Sequence, residues 1–175
     1  FRNCRRVNAL DLAAGFAGIK TMNRVLMRVE GVPAPKWSKT AVEFVKKALE
    51  ALGHENWEVS VLFCNNAFIK TLNADYRGKD EPTDVLAFPL GERIKGGRYL
   101  AGDIVLSLDA LAENEEFFGV CRDEEVRRLL LHAILHLSGD DHATNEMDEP
   151  MLIRQEAMLK RLADKPGIHI QENIK

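Results

Sequence analysis

The stretch "LLLHAILHLSGDDH", residues 129–142, decides how the rest of the chain is read. The chain has five histidines, and His132, His136 and His142 all fall inside this segment. His132 and His136 are four apart, so on a helix they stand one turn above the other on the same face. Neutral imidazoles at that spacing can reach one ion together, at about 2.0–2.1 Å if it is zinc. Gly139 then ends the helix and turns the chain, which lets His142 approach the same point from a loop. Three protein nitrogens leave a tetrahedral ion one open position, which is the catalytic and not the structural arrangement. Zinc held in this way can lower the pKa of a bound water to about 7. His54 and His169 stand alone and read as ordinary histidines.

The order H-x-x-x-H-x-x-G-x-x-H is also that of the metzincin peptidases, whose general base is a glutamate directly after the first histidine. Here that position is Ala133, and a methyl group accepts no proton. The metal cradle is present and the peptidase's base is missing.

The totals bound the remaining choices. At 175 residues, 46% hydrophobic and 29% charged, the chain suits one globular domain with one core. The net charge of −3 gives no global attraction to nucleic acid, so polyanion binding needs a local basic patch. Cys4, Cys64 and Cys121 form no C-x-x-C pair and are odd in number, which fits a reducing compartment, the cytoplasm. No apolar run approaches the roughly 20 residues that span a bilayer. Residues 1–21 read as a non-native or upstream leader ahead of Met22. Their arginines mimic a signal or transit peptide, but Asp11 interrupts the apolar core such a peptide needs.

From Met22 onward strands and helices alternate. "RVLMRVEG" predicts a strand ended by Gly31, Pro33 and Pro35. Ser38 is expected to cap a helix whose apolar stripe is Val42, Val45, Leu49 and Leu52, closed by Gly53. "WEVSVLFC" predicts a central strand, "NAFIKTLNADYRG" a short helix, and "TDVLAFPL" and "AGDIVLSL" two more strands. "GERIKGGR" is a glycine-rich hairpin between them. Two helices follow, the second with Asp123 as its expected cap, and Pro150 opens a last helix. The expected fold is α+β, a single domain over residues 22–165, with a small mixed sheet packed against the central histidine-bearing helix. Residues 166–175 read as a tail.

Arg77 and Lys79 lie in "NADYRGKDEPTDVLAFP", ahead of a proline turn. Arginine's planar fork suits phosphate and lysine adds a point charge, but on charge alone the pair reads as surface balanced by Asp80 and Glu81. That stretch, then "GDIVLS", then "LLHAILHLSGDDH", in this order, resembles the YbeY family of metal-dependent, single-strand-specific endoribonucleases that mature ribosomal RNA. The likeness spans about residues 22–165, and "PMLIRQE" is similar to the family's closing helix. The chain departs from the family's usual pattern at Ala133 and Asp140, where glycine and tyrosine are commoner.

The resemblance implies one Zn2+ per chain on His132, His136 and His142. It implies Arg77 in the substrate groove facing the metal, with Lys79 beside it. It also implies action on single-stranded RNA, in processing the 3′ end of small-subunit ribosomal RNA and in ribosome quality control. Ribosome or small-subunit proteins are then the expected partners. On this reading RNA enters between the "TDVLAFP" strand and the histidine helix. Lys79, Arg93, Lys95 and Arg98 can track its backbone. Asp140, Asp141 or the metal-bound water alone remains open as the general base, and Asp141 can instead orient a ligand. Two other classes stay in view: a metzincin-like or other metal hydrolase, and a non-catalytic ribosome-associated RNA-binding factor.

Overall fold

β1 (Arg24–Glu30) and β2 (Trp57–Cys64) run parallel, from Arg24 opposite Glu58 to Glu30 opposite Cys64. Parallel neighbours need a crossover, and α1 (Ser38–Ala51) supplies it. The structure is a computed structural model that describes residues 22–163, so the readings made of residues 1–21 and of the tail lie outside the described residues. After α2 (Asn66–Arg77) come β3 (Val85–Arg93) and β4 (Tyr99–Ser107), joined by the glycine hairpin. β4 pairs parallel with β2, and β3 pairs antiparallel with β4 on its far side. The sheet order is therefore β1-β2-β4-β3, which leaves β3 an edge strand. Helices α3 (Leu108–Phe118), α4 (Arg122–Leu137) and α5 (Pro150–Ala163) complete the described residues. This is the expected α+β fold with a mixed sheet. No helix among the described residues is long and apolar enough to cross a membrane.

Strand alternation divides the core between the sheet's two faces. Val59, Val61, Phe63, Ile104, Leu106 and Val85 face α1 and α4, while Cys64, Leu86 and Val105 pack with Ile69 of α2. Burial pushes the Cys64 thiol up to about 11, so it serves as a small apolar side chain. α4 is apolar around most of its circumference, with Val126, Leu129, Leu130, Leu131, Ile134 and Leu135 buried, because α1, α3, α5, β3 and β4 all pack on it.

Three sequence expectations need correction. Ser38 is not the cap of α1 but its first residue, buried, with its N–H donating to the Pro35 carbonyl at 3.0 Å. Trp37 stands at the cap and packs edge-on against Phe63 at 5.2 Å, so an apolar anchor sets the helix entry. The buried stripe of α1 is Ala41, Phe44, Val45, Ala48 and Leu49, with Val42 and Leu52 at its half-buried margins. Asp123 is not the cap of α4, since Cys121 holds that position without a side-chain bond. Asp123 sits inside the first turn and accepts from Arg127 at 2.6 Å.

Gly102 closes β3 onto α4. A Cβ there would lie 2.1 Å from the Phe88 carbonyl oxygen and 3.0 Å from Leu137 Cδ2, at φ +143°. Gly102→Ala is expected to destabilise the fold by about 3 kcal/mol, seen as a lower urea midpoint at unchanged slope.

Glu125, buried in α4, accepts from Asn114 Nδ2 at 2.9 Å. Burial pushes its carboxyl above the usual range against the pull of Asn114 and Arg128, with Asp84 and Glu124 adding to the rise. A raised folded-state pKa means ionisation costs stability, and the cost grows as pH climbs through that value. Glu125→Gln should therefore melt higher than the parent near neutral pH and match it in acid below the carboxylate range.

Candidate metal centre

α4 ends where Gly139, at φ +92°, turns the chain out of the helix. The Gly139 N–H donates to the His136 carbonyl at 3.0 Å, and the Asp140 N–H to the Leu135 carbonyl at 3.0 Å. This pair of bonds is a Schellman closure, which satisfies two terminal carbonyls and fixes the direction of exit. The loop that follows brings His142 back over the helix face carrying His132 and His136.

The three imidazoles converge through one kind of atom. His132 Nε2 lies 3.1 Å from His136 Nε2 and 3.4 Å from His142 Nε2. Each Nδ1 is engaged elsewhere: that of His132 with Gln155 Oε1 at 2.9 Å, that of His136 with the Asp140 carbonyl at 3.1 Å, and that of His142 with the Thr144 carbonyl at 2.8 Å. Carbonyl oxygens only accept, so Nδ1 carries the proton and Nε2 presents a lone pair. Tetrahedral nitrogen ligands at zinc distances stand about 3.3 Å from one another, which the observed spacings match. The three side chains can hold a metal ion, and all three are half-buried.

The electrostatics agree. Burial lowers the pKa of His132, helped by His142 and opposed by Gln155 and Asp84. Burial likewise lowers that of His136, with His132 and His142 adding to the effect and Asp141 opposing it. Both rings are therefore neutral near pH 7, the form that binds metal.

The neighbouring carboxylates differ. Asp140 pairs with the Arg154 guanidinium of α5. Asp141 is 88% exposed, accepts from the His142 N–H at 2.9 Å, and stands 3.7 Å from His136 Nδ1. Ala133, where a metzincin has its base, is 1% exposed and belongs to the core.

Arg77 ends α2, capped by Gly78 at φ +69°, and like Lys79 it is exposed. Asp80 pairs with Lys70 at 3.4 Å. Neither Arg77 nor Lys79 has an ion pair among the described residues, so the expected balance by Asp80 and Glu81 is not what holds them. Arg98 lies 3.8 Å from Glu58, and Arg93 lies over the Tyr99 ring at 5.3 Å.

Sequence reasoning missed Gln155, Arg154 and Thr144. Gln155 is 5% exposed and reaches His132 across 23 residues of chain, so no local pattern announces it.

The sequence is similar to known proteins over most of its length. The family described as Endoribonuclease YbeY matches residues 26–163. A protein named Endoribonuclease YbeY from Treponema denticola is 48% identical over 120 residues, covering 66% of this chain and 77% of that one. One of the same name from Treponema pallidum is 44% identical over 142 residues, covering 79% and 89%. Among solved structures, that of TM1509 from Thermotoga maritima, at 25% identity, covers 86% of this chain and 99% of its own, with a TM-score of 0.56.

Gln155→Leu removes the acceptor that orients His132. It is expected to weaken metal affinity about 10- to 100-fold while the fold persists, measured by competition with a chromophoric chelator.

Proposed function

The chain belongs to the YbeY family of endoribonucleases, and on that premise we propose that it cleaves single-stranded RNA at the three-histidine centre. Membership makes it a hydrolytic nuclease with RNA as its substrate. Its task is then maturation of the 3′ end of small-subunit ribosomal RNA, and ribosome quality control, in the cytoplasm, with the ribosome or small-subunit proteins as partners. One observation carries the siting of the chemistry: three Nε2 lone pairs meet at one point while every Nδ1 is bonded away from it.

An all-imidazole donor set with an open fourth position favours zinc, one ion per chain. When bound, zinc would supply Lewis-acid chemistry, polarising a phosphoryl oxygen and lowering the pKa of a water. The protein's own groups do the rest. His132, His136 and His142 hold the ion, and Gln155 and the carbonyls of Asp140 and Thr144 hold the rings. Arg77 grips the phosphate in its fork and offsets charge as it builds in the transition state. Arg154 occupies Asp140, which leaves Asp141 as the exposed carboxylate beside the centre able to take a proton. Arg98 is drawn to Glu58 and Arg93 to Tyr99, so Lys79 and Lys95 are the better placed to follow the RNA backbone.

The rival classes fare worse. A peptidase needs a base at position 133, where a buried alanine packs in the core. A purely structural zinc needs a fourth protein ligand, and among the described residues no further His, Cys, Asp or Glu joins the cluster.

Metal content by mass spectrometry, paired with cleavage of a single-stranded RNA, tests the reading. The parent should carry about one zinc per chain, and His136→Ala should lose ion and cleavage together. Arg77→Glu should keep the ion and lose cleavage. Zinc lost with cleavage unchanged would place the nuclease elsewhere, and cleavage retained by Arg77→Glu would remove that residue from the mechanism.

A further inference from the structure

Tyr76 is the residue before Arg77, and it is 69% exposed. Its ring packs edge-to-face on Phe88 of β3, with centroids 5.0 Å apart and planes at 66°. Phe88 is itself anchored against the small cluster of Leu86, Val105, Cys64 and Ile69. The ring is therefore fixed by one contact and leaves most of its surface open to solvent.

Its position matters as much as its exposure. β3 is an edge strand, with α4 packed on one of its faces and Tyr76 packed on the other through Phe88. The histidine helix and Tyr76 thus flank the same strand. Arg77 and Lys79, at the end of α2 and just beyond it, have no ion pair among the described residues, and Asp80 pairs with Lys70. An open aromatic face followed at once by two unengaged cations matches the repeating unit of a single-stranded nucleic acid, a flat base beside a phosphate. Another exposed aromatic pair among the described residues lacks this company. Phe117 and Phe118 end a helix whose last two turns carry Glu113, Glu115 and Glu116, charges that repel phosphate.

We propose that Tyr76 is a stacking platform for one unpaired base of the RNA, setting the register in which the adjacent phosphate meets Arg77. The inference rests on the ribonuclease reading and adds a subsite to it. It also supplies a reason for single-strand preference, since a base stacked and paired in a duplex cannot lie on the ring.

The probe is oligoadenylate, together with the same oligomer carrying one abasic nucleotide at successive positions. Base–aromatic stacking predicts that Tyr76→Ala weakens binding by about tenfold, read as KM and as anisotropy, with zinc content and melting temperature unchanged. Tyr76→Phe and Tyr76→Trp should bind within about threefold of the parent. The new tryptophan should lose emission as oligoadenylate saturates it. One abasic position should cost the parent affinity and cost Tyr76→Ala nothing further. Parent-like binding by Tyr76→Ala, or an unquenched tryptophan, overturns the platform and leaves the nuclease standing. A zinc-loaded parent that neither binds nor cleaves the oligomer overturns both.

Discussion

Three nitrogen lone pairs aimed at one point repel one another, and everything around the centre exists to keep them there. Two come from a single helix face and one from a returning loop, so both the helix and its exit must be rigid. α4 meets the first demand by being the element on which α1, α3, α5, β3 and β4 converge. The Schellman closure at Gly139 meets the second. The hydrogen bonds behind the rings then fix the tautomers. A neutral histidine has one proton to place, and with Nδ1 bonded to an oxygen only Nε2 remains to bind an ion. The energetic logic is preorganisation. The cost of bringing like dipoles together is met by folding, before metal or substrate arrives.

Much of this was legible in the sequence. The i, i+4 histidines and the glycine after them predicted a helix face and a turn, and both are present. The alternation of "WEVSVLFC" placed that strand in the sheet's interior, where β2 lies, and "AGDIVLSL" was legible as a strand, though not as the second central one. The absence of a peptidase base at Ala133 was a reading of one letter, and its burial gives that reading a physical cause. YbeY membership was visible because its motifs lie in long contiguous runs.

What was not legible is what depends on distant partners. Helix entry at α1 is governed by Trp37 lying on Phe63, a contact no local capping rule contains. At α4 the acids near the start suggested a capping side chain, whereas Asp123 spends its carboxylate on Arg127 one turn later. The ion-pair partners of Arg77 and Lys79 were likewise not legible from neighbouring letters. Adjacent acids in sequence looked like partners, but Asp80 pairs with Lys70, two turns back along α2 from Arg77. Sequence order gives neighbours, and pairing is settled by how the chain folds back after the helix ends at Gly78.

The C-terminal helix ties these threads together. α5 sends Gln155 to a ligand histidine and Arg154 to the loop that carries the third ligand, and it lays Met151, Met158 and Leu162 into the core. Its seating on the domain and the capture of the ion are therefore linked equilibria: whatever favours one favours the other in equal measure. Loss of a bound ion would weaken the hold on α5, and displacement of α5 would weaken the hold on an ion. The helix that follows the histidine loop is in this sense part of the metal centre, although none of its own side chains would touch the ion.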